Sequence, residues 1–156
     1  MSTTLPASPL STKADLPPLG VYVHWPFCAA ICPYCDFNVH LVHKAKGSPA
    51  DWLSAYRQEL AYAQGLRPQG PVETVFFGGG TPSLMSVSSV QSLVAQCKAL
   101  WPGAEDIEVT LEANPTDAEM SRFESFRDAG INRLSLGIQS FDDLQLEFLG
   151  RNHSAH

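Results

Sequence analysis

The sequence predicts an α/β protein built on a parallel sheet, and three observations carry the prediction. Short β-branched and aromatic runs alternate with longer segments whose apolar residues recur at spacings of three and four. The connections between strand-like runs are long enough to hold crossover helices, so that successive strands run parallel with right-handed crossovers, curved into a barrel or left open. The segments richest in cysteine, glycine and isolated polar residues each follow a strand-like run, and in parallel sheets the loops at the carboxyl ends of the strands converge on one rim where ligands bind.

Residues 1–18 are rich in Ser, Thr and Pro with no periodic apolar face and read as a disordered leader. "GVYVH", Gly20 to His24, suits a first strand and runs directly into a cysteine loop. From Pro49 to Leu66, Trp52, Tyr56, Leu60 and Ala63 mark one buried helix face. "VETVFF", Val72 to Phe77, reads as a buried strand, and Val87, Val90, Val94, Cys97 and Trp101 return to helical spacing. "DIEVTLE", Asp106 to Glu112, reads as a third strand. Thr116 and Glu119 form a capping-box pattern for a third helix, with Met120, Phe123 and Phe126 on one face and Gly130 placed to end it. "INRLSLGI" supplies a fourth strand, and Asp142 to Leu149 begin a fourth helix.

A chain of 156 residues with 44% hydrophobic content supports one sizeable core. The net charge of -6 and ten scattered Lys and Arg supply no basic stripe, which argues against nucleic acid as a partner. No run of eighteen apolar residues and no secretory signal occur, so no membrane span and a cytoplasmic location are expected. Thiols are kept reduced there, which favours metal ligation or catalysis over disulfides.

Three of the four cysteines fall in "CAAICPYC" as Cys28, Cys32 and Cys35. Thiolates at close spacing suit zinc or iron-sulfur clusters. A structural zinc site wants a fourth ligand, which His24, His40 or His43 could supply; a cubane held by three thiolates keeps one iron open, as a catalytic site would. Cys97 lies on an apolar helix face and reads as a small buried hydrophobe. His24, His40, His43, His153 and His156 read as loop or strand histidines without a metal role.

With "YVHWPFC" before it, this loop resembles the Cys-x3-Cys-x2-Cys motif of radical S-adenosylmethionine enzymes. The resemblance implies a 4Fe-4S cluster on Cys28, Cys32 and Cys35, with the amino and carboxylate groups of S-adenosylmethionine on the fourth iron, and a barrel of the partial (β/α)6 type. The reduced cluster of that family cleaves the sulfonium to methionine and a 5'-deoxyadenosyl radical, while the protein supplies position and low polarity. Phe27, Tyr34 and Phe37 could shield such a cluster. "GGGTP" resembles the family's glycine-rich motif and implies cosubstrate contacts by Gly79, Gly80 and Thr81. "EANP" resembles its ribose-binding segment through Glu112; Gln139 in "LGIQSF", Arg151 in "LGRNH" and Tyr22 match cosubstrate-site positions in the coproporphyrinogen III oxidase-like branch.

The resemblance spans about residues 19–153, and residues 19–156 are read as the amino-terminal part of the radical S-adenosylmethionine core domain, truncated at its carboxyl end. Oxygen-independent coproporphyrinogen III oxidases of this branch carry a further cysteine two residues after the third, where this chain has Phe37. That departure and the short leader resemble the HemW-type heme chaperones, which implies heme as cargo, hemoprotein acceptors and an electron donor such as flavodoxin or ferredoxin. The oxidase remains the alternative, and a structural zinc module the third reading. A truncated barrel is expected to leave an edge strand at "INRLSL", and the fragment to be poorly active.

Overall fold

The structure, a computed structural model, describes residues 17–67, 70–102 and 106–156. The predicted leader, apart from its last two residues, lies outside the described residues. In chain order the elements are β1 (Leu19–Trp25), β2 (Phe27–Cys28), β3 (His40–Leu41), α1 (Pro49–Leu66), β4 (Val72–Gly79), α2 (Val87–Leu100), β5 (Glu108–Ala113), α3 (Asp117–Met120), α4 (Phe123–Asp128), β6 (Arg133–Leu136) and α5 (Asp143–Phe148). Four strands form one sheet in the order β1-β4-β5-β6, every pair parallel. This is the predicted fold class.

Strand alternation sorts the side chains. Val75 and Phe77 of β4, with Val109 and Leu111 of β5, are at most 1% exposed and pack with Val90, Leu93, Val94 and Cys97 of α2 and Phe126 of α4. Burying each of the larger side chains contributes roughly 1.5–3 kcal/mol. The alternate residues Tyr22, His24, Phe76 and Glu112 therefore point to the opposite face, where they are half-buried or exposed. That face leads up to the strand ends.

The helices start where local chemistry dictates. Ser48 caps α1: its backbone N–H donates to Asp51 Oδ2 at 2.7 Å, Asp51 N–H returns to Ser48 Oγ at 3.3 Å, and Pro49 occupies the first turn, where no N–H is needed. Ser86 caps α2 by accepting from Ser89 N–H at 3.1 Å.

The third crossover departs from the sequence reading. It is two short helices, and Met120 is 49% exposed instead of lying on the buried face with Phe126. Among the described residues no side-chain capping box forms here, and the Glu119 carboxylate turns inward to Ser83 and Asn114. Gly130, at φ 103°, ends the segment as predicted.

Register levels the strand ends. Trp25 pairs with Gly79, Phe77 with Leu111 and Ala113 with Leu136, so all four strands stop on one line. The four loops that leave this line are the four chemistry-bearing segments of the sequence.

Candidate functional site

The cysteine loop is tied down at its base. β2 pairs with β3 through Phe27 with His40 and Cys28 with Leu41, and His40 N–H donates to Pro26 O at 2.7 Å, so the chain leaves and returns at one place. Within the loop Cys35 N–H donates to Cys32 O at 3.0 Å, a turn that brings the second and third thiols round together. The glycine loop after β4 is stitched beneath it, with Gly80 N–H on Trp25 O at 2.7 Å and Thr81 N–H on Phe27 O at 2.8 Å. Gly79 has φ 111°, and a Cβ there would lie 2.6 Å from the His24 ring, so only glycine lets the chain turn there.

These loops and the ends of β5 and β6 enclose an open cavity of about 360 Å³. Cys28, Cys32 and Cys35 line it with Gly79, Gly80, Thr81, Glu112, Gln139 and Arg151. All three thiols are free. Burial pushes the Cys28 thiol pKa up, the neighbouring Cys35 and Cys32 add to the rise, and a hydrogen bond with Thr81 and the Arg151 charge oppose it. Among the described residues no group of three or more His, Cys, Asp or Glu side chains is arranged to hold a metal ion.

Arg151 reaches across the cavity floor. Its Nη1 approaches Cys32 Sγ at 3.2 Å and Tyr34 Oη at 3.4 Å, and its Nη2 donates to Asn114 Oδ1 and Gly137 O, both at 2.6 Å. Its Nε is buried and has no hydrogen-bond partner among the described residues. Glu112 accepts from Gly79 N–H at 3.0 Å through Oε2. Gln139 adopts φ 66°, a left-handed conformation that costs a non-glycine residue about 1–3 kcal/mol, at the turn following β6.

Of the ten residues singled out in the sequence, nine meet in this cavity. Tyr22 does not line it. It lies beside His24 on the sheet face opposite the helices, with Oη 3.4 Å from His24 Nδ1, close enough to Glu112 for that carboxylate, after burial, to raise its phenol pKa. The three aromatic side chains of the cysteine loop divide. Tyr34 and Phe37 line the cavity, whereas Phe27 is 4% exposed and packs edge-on against Trp25 and Trp52 at ring separations of 5.1 and 5.0 Å. Cys97 is fully buried on α2, remote in role from the loop, with its thiol pKa pushed up to about 11 by burial.

Asn114 and Glu119 were not singled out as site residues by sequence reasoning. Asn114, which lines the cavity, stands inside "EANP" without a role of its own, and Glu119 three residues after Thr116 has the same spacing whether it caps a helix or turns inward to Asn114.

The donor set fits an iron-sulfur group with a cosubstrate that bears a carboxylate. It offers three free thiols on one cavity, a side-chain-free backbone beside them, and an orphaned, buried cationic N–H. A sequence profile described as the Radical SAM superfamily matches residues 22–156. The chain belongs to the radical SAM superfamily. Within the superfamily it falls in the HemN-like branch, near HemW. It is 45% identical over 142 residues to the "Heme chaperone HemW" of Escherichia coli (strain K12), which covers 88% of this chain and 36% of that protein. It is 48% identical over 140 residues to the "Radical S-adenosyl methionine domain-containing protein 1, mitochondrial" of Bos taurus, covering 87% of this chain and 30% of that one. The solved structure titled "Coproporphyrinogen III oxidase (HemN) from Escherichia coli is a Radical SAM enzyme" superposes with a TM-score of 0.75 at 28% identity, over 88% of this chain and 31% of that one. This radical SAM chain thus spans about a third of the length of the relatives it matches.

Proposed function

We infer that this chain carries the cofactor site of a heme chaperone: a 4Fe-4S cluster on Cys28, Cys32 and Cys35, and S-adenosylmethionine on the open iron beside it. The observation that carries the inference is the convergence of four segments distant in sequence on one cavity, bringing the three thiols together with Gly79–Thr81, Glu112 and Arg151. Held by Cys28, Cys32 and Cys35, such a cluster would, once reduced by an external electron donor, supply one electron to the cosubstrate's sulfonium.

The chain's own residues supply the rest. The backbone of Gly79 and Gly80 admits a ligand closely, Glu112 offers its free carboxylate oxygen to ribose hydroxyls, and the buried Nε of Arg151 offers a charge-assisted donor to a carboxylate. Gln139 is held in its unusual conformation at the rim, and Tyr22 serves from the sheet face beside His24. Heme as cargo, hemoproteins as acceptors, a flavodoxin or ferredoxin as electron donor, and a cytoplasmic location are parts of this proposal. Heme and its hemoprotein acceptors are supported by the name of the HemW relatives, whereas the electron donor and the location are carried over from the sequence reading alone.

The structural likeness to HemN supports a second reading, an oxygen-independent coproporphyrinogen III oxidase. Phe37, where the oxidases carry a further cysteine, ranks it second. The deciding experiment is anaerobic reconstitution of the intact protein with iron and sulfide, then electron paramagnetic resonance of the reduced sample with and without S-adenosylmethionine. A cluster signal altered by the cosubstrate is expected. Stoichiometric zinc with no cluster would reject the reading, and heme titration against product formation from coproporphyrinogen III separates chaperone from oxidase.

A further inference from the structure

Glu119 is a carboxylate only 8% exposed, on a four-residue helix, and among the described residues it makes no ion pair. Burying such a group is costly unless several donors satisfy it. Its donors are Ser83 Oγ, the backbone N–H of Asn114 at 2.8 Å on Oε2, and the side-chain Nδ2 of Asn114 at 3.3 Å on Oε1. The same Asn114 amide turns its Oδ1 to Arg151 Nη2 at 2.6 Å, and Arg151 Nη1 lies 3.2 Å from Cys32 Sγ.

We propose that Glu119 is a positioning residue for the cofactor site, acting through Asn114 to set the guanidinium of Arg151 against the cysteine loop. The argument is one of donors and acceptors. A carboxylate has no N–H, so the only Asn114 orientation it accepts places Nδ2 toward Glu119 and Oδ1 toward Arg151. A glutamine at this position cannot do the same work. With its oxygen on Asn114 N–H and Ser83, its NH2 faces the Asn114 NH2; with the amide reversed, the NH2 faces the Asn114 backbone donor. Either way one buried donor meets another, and the relief available is to turn the Asn114 amide, which puts its NH2 against the Arg151 cation. The carboxylate at 119 thus makes a choice at Arg151 that neither its size nor its packing would make.

This inference rests on the cofactor-site reading above, so its test separates the two. In the intact, reconstituted protein, Glu119→Gln should weaken S-adenosylmethionine binding, read by calorimetry, by about tenfold, as expected of a mis-set buried hydrogen bond, while iron content stays at the parent's value. The double variant Glu119→Gln/Asn114→Asp restores a donor facing an acceptor at both joints, and should recover the parent's affinity to within about threefold. A merely structural role for Glu119 would not be rescued by a second isosteric change at Asn114. Crystal structures of the parent and of Glu119→Gln complete the test, the guanidinium being expected to leave Asn114 Oδ1 only in the variant.

Unchanged affinity together with an unmoved Arg151 would overturn the proposal. A parent that binds no S-adenosylmethionine would remove the cofactor reading, with the two crystal structures still deciding the relay. Should Glu119→Gln fail to fold, Asn114→Asp, which sets two carboxylates against each other, and its recovery in the double variant carry the same comparison.

Discussion

Replacing Gly80 by alanine tests the joint between the cysteine loop and the glycine loop. A Cβ at Gly80 would lie 2.6 Å from Phe27 O, 2.9 Å from Phe27 C and 3.0 Å from Cys28 Sγ. The first of these is 0.8 Å inside the 3.4 Å at which ordinary contact begins. The obstructing atoms are backbone, and they cannot swing aside: Thr81 N–H holds Phe27 O at 2.8 Å and Gly80 N–H holds Trp25 O at 2.7 Å. Overpacking against such a neighbour costs about 1–3 kcal/mol. A midway loss of about 2 kcal/mol lowers the folded-to-unfolded ratio roughly thirtyfold and, at a slope of about 2 kcal/mol per molar, moves the urea midpoint down by about 1 M.

The same displacement pushes Cys28 away from its partners, so iron retained after reconstitution should fall as well. Gly65→Ala is the control, because a Cβ there meets nothing within 4 Å and alanine favours a helix over glycine by up to about 1 kcal/mol. The two substitutions should move the midpoint in opposite directions. A Gly80→Ala protein with the parent's midpoint and full iron would refute the account of why this backbone is bare.

The remaining predictions concern single side chains. Glu112→Gln keeps an acceptor for Gly79 N–H while removing the charge, so S-adenosylmethionine affinity should drop with the urea midpoint unchanged; an unaltered affinity removes Glu112 from the binding role. Hydrogen bonds from the backbone and then the side chain of Ser48 hold the Asp51 carboxyl below its ordinary value of 3.8. A depressed carboxyl stabilises above its unfolded pKa and ceases to do so as pH falls through the folded one. The stability gap between parent and Asp51→Ala should therefore be constant near neutrality and narrow below about pH 4, and a gap that widens on acidification would contradict the sign. In cluster-free protein, Cys28, buried and with a raised thiol pKa, should alkylate more slowly at pH 8 than the half-buried Cys32 and Cys35, as mass spectrometry of the labelled peptides can show.

Much of the architecture was legible because it is written in local periods. The α1 helix runs over the predicted span Pro49–Leu66, and β4 extends the predicted run by two glycines. The apolar run "VETVFF" reads as a buried strand before any contact is known, and β4 buries Val72, Val75 and Phe77. Cys97 was readable for the same reason, since its helical spacing places it with Val90 and Val94 in the core. The third crossover failed the same method. Thr116 and Glu119 have capping spacing, yet a buried partner on a different loop outcompeted the local one, and the helix broke in two.

The sequence by itself determined the parallel α/β class, the gathering of three cysteines in one loop and the order of the rim motifs, because each depends on residue type at short spacing. Only the tertiary structure decided that Arg151, 119 residues beyond Cys32, lies against its thiol, that Phe27 belongs to the core and not the cavity, and that Tyr22 stands off from the cavity beside His24. Those placements follow from strand register, which levels the carboxyl ends of four strands, and from cross-loop hydrogen bonds whose partners share no sequence neighbourhood. Spacing along a chain carries no record of such partners, since they are chosen by which groups remain unsatisfied once the core has closed.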